Sequence, residues 1–165
     1  MMDTELETLA RRVGEALAVR GWQLASAESC TGGWIAEAVT AIGGSSAWFD
    51  RGFVTYSNAA KMDMLGVSAH TLATHGAVSE ATVREMAEGA LARSLADVAV
   101  AVSGVAGPTG GTPAKPVGMV CIAWAAKKAP TRCVTVHLTG DRAAVRRQTV
   151  IRALDGILQL AAQEP

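Results

Sequence analysis

The chain reads as an α/β protein with a mixed sheet, and three features of its pattern predict that class. Short apolar or β-branched runs alternate with longer stretches of helical periodicity, the order expected of helices layered on a sheet. One run, Asp97 to Ser103, reads Asp-Val-Ala-Val-Ala-Val-Ser and is continuously apolar, as a strand buried on both faces must be. Two glycine-rich loops, 28–33 and 103–112, directly follow strand-like runs, where open α/β sheets place their ligand crevices.

Taken in order, Leu6, Leu9, Val13, Ala16 and Leu17 recur at helical spacing and predict a covering helix from Thr4 to about Val19, closed by Arg20-Gly21. Trp22 to Ala27 is the first strand, residues 28–33 turn, and a helix runs from Trp34 to about Ile42. Gly43-Gly44-Ser45-Ser46 breaks that helix, and the aromatic and β-branched run Phe49 to Tyr56 predicts the second strand. Ser57 or Asn58 caps a short helix from Ala59 to Leu65, and Ser68 to His75 forms another helical turn. Ser79 caps a longer helix whose buried stripe is Val83, Met86, Ala87, Ala90, Leu91 and Leu95. After the 97–103 strand, runs 117–125 and 132–138 are joined by a connection short enough for an antiparallel hairpin, which makes the sheet mixed. A final helix starts at Thr139-Gly140-Asp141-Arg142 and carries Val145, Thr149, Ile151, Leu154 and Ile157 inward.

Composition bounds the function. The 165 residues, half of them apolar, fit one domain spanning 1–165. Fifteen basic and fifteen acidic side chains cancel, so the general electrostatic pull of a nucleic-acid or membrane-surface binder is missing, and neither partner is expected. Cys30, Cys121 and Cys133 are odd in number and widely spaced, which fits reduced thiols in a cytoplasm rather than a disulfide framework or a zinc site. The acidic, amphipathic N-terminal stretch from Met1 to Glu7 does not read as a targeting peptide, and no long uncharged apolar run follows it.

The chemistry concentrates in Ala27-Glu28-Ser29-Cys30-Thr31-Gly32-Gly33, where hydroxyl and thiol groups meet a helix start. The first turn of a helix offers unpaired N–H donors and a positive dipole end, and glycines admit a ligand close to the backbone. The stretch is therefore either an anion-binding or oxyanion-binding elbow or simply a capped helix start. Lys61 falls in or just after the first turn of its helix, where the dipole disfavours an ammonium and lowers its pKa, as a lysine base requires; the alternative is a solvated surface lysine. Arg142 and Arg146 lie four apart, either converging on one anion or forming a surface ion-pair array, while Arg147 is left to solvent. His70 and His75, five apart, make a poor metal pair. The 103–112 loop matches neither the Walker pattern nor the dinucleotide fingerprint.

Together these stretches resemble the CinA C-terminal domain family, which includes stand-alone nicotinamide-nucleotide amidohydrolases. The resemblance is carried by 27–33, by Val54-Thr55-Tyr56-Ser57-Asn58 with Lys61, and by Gly76-Ala77-Val78-Ser79. It continues through Ser103-Gly104-Val105-Ala106-Gly107-Pro108 with Gly110-Gly111, then Lys115-Pro116-Val117-Gly118, and Gly140-Asp141-Arg142 with Arg146. It implies a three-layer α/β/α sandwich with a mixed, mostly parallel sheet, and deamidation of nicotinamide mononucleotide without metal or other cofactor. The family's serine nucleophile and lysine base map onto Ser29 and Lys61, with Tyr56 as a proton relay or orienting group. Thr31, Gly32 and Gly33 would hold the oxyanion, and Ser103, Gly104, Gly107, Gly110, Gly111, Arg142 and Arg146 the phosphate and ribose. Exposed apolar helices fit a homo-oligomer, expected as a dimer. Three rivals remain: Cys30 as nucleophile, a non-catalytic nucleotide-binding or regulatory module of the competence/damage-inducible type, and a structural subunit whose glycine-rich loops merely turn.

Overall fold

The computed structural model describes residues 3–163; Met1 and Met2 of the acidic N-terminal stretch, with Glu164 and Pro165, lie outside them. A five-stranded sheet in the order β2-β1-β3-β4-β5 forms the middle layer. Its strands are β1 (Leu24–Glu28), β2 (Phe49–Val54), β3 (Val98–Gly104), β4 (Met119–Ala126) and β5 (Arg132–His137). β1 runs parallel to both β2 and β3, whereas β3–β4 and β4–β5 are antiparallel. Parallel and antiparallel pairings are thus equal in number, because the final hairpin adds a second antiparallel pair to a parallel β2–β1–β3 half.

The two sheet faces differ in side-chain size. Leu24, Val98, Val100, Val102, Val120, Ile122 and Trp124 face α1 (Thr4–Arg20), α2 (Trp34–Thr40) and α6 (Arg142–Ala162). Alternate positions, Ala25, Ala27, Ala99, Ala101, Ala123 and Ala125, face α5 (Glu80–Ala92). The period of two along each strand separates the sets, and the alanine face lets α5 lie close against the sheet. α3 (Asn58–Leu65) and α4 (Ala69–His75) then pack on α5.

Most boundaries fall within two residues of those read from the sequence. Ser57 caps α3, Ser68 caps α4, Ser79 caps α5 and Asp141 caps α6, each accepting an N–H from the first turn. Leu95 departs from its place in the buried stripe: α5 ends at Ala92, so Leu95 lies past the helix and is 71 % exposed. Arg147 is not left to solvent either. It forms two hydrogen-bonded contacts with Asp3, at 2.6 and 3.1 Å, and one with Glu5, at 3.1 Å, joining α6 to the start of α1.

Gly89 on α5 controls how closely α3 approaches. A Cβ there would overlap the backbone carbonyl of Leu65 at the end of α3, and backbone cannot rotate away as a side chain can. Gly89→Ala is expected to lower stability by about 1–3 kcal/mol in urea unfolding, a typical overpacking cost. Gly43→Ala, with open space around the new Cβ, should leave the midpoint unchanged.

Candidate active site

Parallel β1, β2 and β3 bring their C-terminal ends to one edge of the sheet, and each end delivers part of one cavity. Ser29 and Cys30 follow β1, Tyr56 follows β2 with Asn58 and Lys61 just beyond it on α3, and Ser103 and Gly104 end β3. Ala77, Val78, Ala106 and Arg142 complete a hollow of about 260 Å³. A roomier hollow of about 640 Å³ lies between α5 and the β4–β5 hairpin. It holds no comparable constellation, its Lys127 being paired with Asp97 at 3.6 Å.

The centre of the cavity is a contact between two residues 32 positions apart. Lys61 Nζ lies 2.9 Å from Ser29 Oγ and 2.9 Å from the Thr55 carbonyl oxygen. Lys61 is 1 % exposed, and no carboxylate pairs with it among the described residues. Stripped of water and given no counter-charge, the ammonium is disfavoured, so burial holds the Lys61 pKa below the ordinary lysine value. The direction matches that read from the sequence, but desolvation rather than the helix dipole is the leading cause. A lysine so placed can exist as a free amine and accept the Ser29 hydroxyl proton.

Cys30 beside it behaves differently. Burial pushes its thiol up to about 11, away from the thiolate that nucleophilic chemistry needs. The helix start that was expected to activate it is otherwise engaged.

That engagement comes from Glu28, a fully buried residue absent from the sequence-based site. Its carboxylate accepts the Thr31 hydroxyl at 2.6 Å and the Ile35 and Ala36 N–H groups at 2.8 and 3.1 Å. The dipole end of α2 is thereby spent on an internal anion, and neither Ser29 nor Thr31 caps the helix, whose N-cap is Gly33. The signal was present: a glutamate closing a buried strand, five residues before the N-cap Gly33, which has no side chain to cap the helix. The open donors are instead the N–H groups of Cys30, Thr31 and Gly33, which have no acceptor on another residue among the described residues. The Ser29 N–H donates to the Val102 carbonyl at 3.1 Å and fastens the turn to β3. Gly32 and Gly33 adopt φ of +61° and +108°, a left-handed pair that a Cβ would strain.

The residues expected to contact substrate therefore divide. Ser103, Gly104 and Arg142 line the cavity, while Thr31, Gly32 and Gly33 shape the turn beneath it. Gly107 reaches the site indirectly, its carbonyl accepting from Arg142 Nη1 at 2.8 Å. Gly110 and Gly111 lie out along the loop and do not line the cavity; Gly111 packs against Val117. Arg142 Nη2 also donates to the Tyr56 hydroxyl at 3.3 Å, so the exposed Tyr56 ring presents its oxygen to Arg142 rather than to Lys61. Lys115, unassigned from the sequence, holds the far arm of the loop by donating to the His75 carbonyl.

Arg146 departs furthest from expectation. Its Nε donates to the Cys30 carbonyl at 3.0 Å and its Nη2 to the Thr31 carbonyl at 3.1 Å, with the guanidinium 5.5 Å from the Trp34 ring centroid. It is not among the cavity-lining residues. Two long side chains one helical turn apart thus diverge, Arg142 toward the loop and Arg146 beneath the elbow. No group of three His, Cys, Asp or Glu able to hold a metal ion occurs among the described residues, and no described helix is long and apolar enough to cross a membrane.

Comparison with known proteins places these features in a wider group. The CinA C-terminal domain model matches residues 6–161. Nicotinamide-nucleotide amidohydrolase PncC of Escherichia coli strain K12 is 54 % identical over 159 residues, covering 96 % of each chain. The protein of the same name from Pseudomonas putida is 55 % identical over 158 residues, covering 96 % of this chain and 98 % of its own. A solved structure, the competence/damage inducible protein CihA from Agrobacterium tumefaciens, superposes with a TM-score of 0.93 at 48 % identity over 99 % of both chains.

Removing the Glu28 carboxylate leaves two buried donors and one part-buried donor without their acceptor. Glu28→Ala is expected to cost roughly 2–4 kcal/mol in denaturant unfolding, the scale of losing buried charge-assisted hydrogen bonds. An unchanged unfolding midpoint would show that water replaces the carboxylate without loss.

Proposed function

The chain belongs to the CinA C-terminal domain family, and from that premise we propose that it hydrolyses the carboxamide of nicotinamide mononucleotide to a carboxylate, releasing ammonia, with Ser29 as nucleophile and Lys61 as its base. The observation that carries this reading is the buried 2.9 Å contact between Lys61 Nζ and Ser29 Oγ, with no carboxylate to hold the amine charged. The names of the PncC relatives supply the substrate class.

In the proposed sequence, neutral Lys61 takes the Ser29 hydroxyl proton as Oγ attacks the carboxamide carbon. The negative charge gathers on the amide oxygen, for which the N–H groups of Cys30 and Thr31, the open donors nearest Ser29 in the chain, are assigned as the backbone donors. Lys61 returns its proton to the departing nitrogen, the C–N bond breaks, and ammonia leaves an ester on Ser29. Water then attacks that ester, gives a proton to Lys61 and releases the acid, while Ser29 regains its proton from Lys61. The Thr55 carbonyl accepts one amine hydrogen throughout and orients the remaining lone pair toward Ser29.

A neutral lysine also suits a substrate that carries a fixed positive charge on its pyridinium ring, because a second cation in a dry cavity would repel it. Arg142 is the cation suited to the phosphate: it lines the cavity and, among the described residues, bonds only a neutral carbonyl and a phenol. Tyr56, bonded to Arg142, is assigned to orienting that guanidinium rather than to relaying a proton. Ser103 and Gly104 are assigned to the ribose side. A cytoplasmic role in pyridine nucleotide salvage and assembly as a homodimer belong to the same proposal.

Ser29→Ala is expected to reduce ammonia release from nicotinamide mononucleotide by about a thousandfold or more, as loss of a nucleophile does. Cys30→Ala should keep most of the rate, and the reverse ranking of the two variants would move the nucleophile to sulfur. Lys61→Met should lose turnover while calorimetry still detects substrate binding. Because only unprotonated Lys61 accepts the serine proton, kcat/KM should rise with pH through a pKa below the ordinary lysine value of 10.5 and then level off. Unfolding restores the ordinary Lys61 pKa and takes up a proton, so the Lys61 contribution to stability should rise with pH between its folded and unfolded values, against the opposite slope of the raised Cys30 thiol; the difference between the unaltered protein and Lys61→Met in unfolding free energy against pH isolates it.

A further inference from the structure

Arg146 belongs to the turn rather than to the cavity, and its hydrogen bonds reach the nucleophile through the backbone. Its Nη2 donates to the Thr31 carbonyl; the N–H of the same peptide unit belongs to Gly32 and donates to the Ser29 carbonyl at 3.1 Å. Its Nε donates to the Cys30 carbonyl, and the N–H of that peptide unit belongs to Thr31, one of the open donors. In a trans peptide the C=O and N–H point in opposite directions. A guanidinium held behind the carbonyls of residues 30 and 31 therefore sets the direction of the Thr31 and Gly32 N–H groups. It also polarises both peptide units, which strengthens those N–H groups as donors.

The anchorage is specific to arginine. Nε and Nη2 of one planar fork reach two successive carbonyls, a geometry that a point-like ammonium cannot reproduce. The Trp34 ring at 5.5 Å supports the fork, and no carboxylate competes for it among the described residues. The Gly32 N–H closes the 29–32 turn on the Ser29 carbonyl, and the left-handed φ of Gly32 then redirects the chain toward α2.

We propose that Arg146 is a positioning residue for the nucleophile: without touching substrate, it fixes the peptide planes of residues 30–32, and through them the backbone of Ser29 and the Ser29–Lys61 contact. The catalytic consequence rests on the amidohydrolase reading above; the clamp itself does not.

The test compares Arg146→Met and Arg146→Lys with the unaltered protein in two measurements. Hydrogen exchange followed by mass spectrometry should quicken in the peptide containing residues 29–34 and stay unchanged in β4. Ammonia release from nicotinamide mononucleotide should show kcat lowered by about a hundredfold with KM within about threefold, the cost expected when reacting groups are displaced without loss of binding. Added guanidinium ions should restore part of kcat in the methionine variant. Arg147→Met, which removes the neighbouring guanidinium bonded instead to Asp3 and Glu5, should match the unaltered protein in exchange across the elbow and in kcat. A raised KM with kcat preserved would overturn the proposal in favour of direct substrate contact, and unchanged elbow exchange in a folded variant would overturn it outright. If the methionine variant does not fold, the lysine variant decides by the same readings. If the unaltered protein releases no ammonia from this substrate, the amidohydrolase reading fails while the exchange measurement still decides the clamp.

Discussion

The structure depends on keeping one amine dry beside one hydroxyl. Lys61 Nζ and Ser29 Oγ meet at 2.9 Å in a site that water scarcely reaches, and burying an amine without a counter-ion opposes folding. The surrounding packing must offset that cost. Alanines on one face of β1, β3 and β4 let α5 lie close to the sheet, Gly89 lets α3 lie close to α5, and α3 carries Lys61 inward. The same small residues that give this face little apolar area of its own are what make the lysine's position possible.

A second constraint shapes the turn that presents Ser29. Helix starts attract anions, and an unguarded α2 terminus would compete with the peptide donors beside Ser29 for any incoming negative charge. Glu28 occupies the Ile35 and Ala36 N–H groups of α2, leaving the open donors in the turn itself, at Cys30, Thr31 and Gly33. Behind the same turn sits Arg146, so the elbow is held by an internal carboxylate on the helix side and an internal guanidinium on the carbonyl side. Arg142, one turn earlier on α6, has only neutral partners and faces the cavity. Two arginines four residues apart thus serve different ends, because their partners lie on different loops.

The reading of Cys30 illustrates why local pattern is insufficient. A thiol next to a helix start looks activated when only chain order is known. In the folded protein the dipole end is already satisfied by Glu28, and burial dominates, raising the thiol pKa. For Lys61 the direction inferred from its helix position agrees with the structure although burial is the larger cause. Tyr56 was legible as a site residue but not in its orientation, which is set by Arg142 from α6, 86 residues away.

From the sequence alone came the order and type of nearly every element, the caps at Ser57, Ser68, Ser79 and Asp141, and the two loops that frame the cavity. These are short-range matters, governed by side-chain period, capping chemistry and glycine conformation over a few residues. The pairing of Ser29 with Lys61 was accessible only through family resemblance, since nothing local relates positions 32 apart. What tertiary structure alone decided was which charged groups are consumed within the protein and which remain for a ligand: Glu28 and Arg146 turned inward onto the elbow, Arg147 onto Asp3 and Glu5, and Arg142 toward the cavity. Desolvation and hydrogen-bond partners depend on groups brought together from distant parts of the chain, so spacing along it cannot assign them.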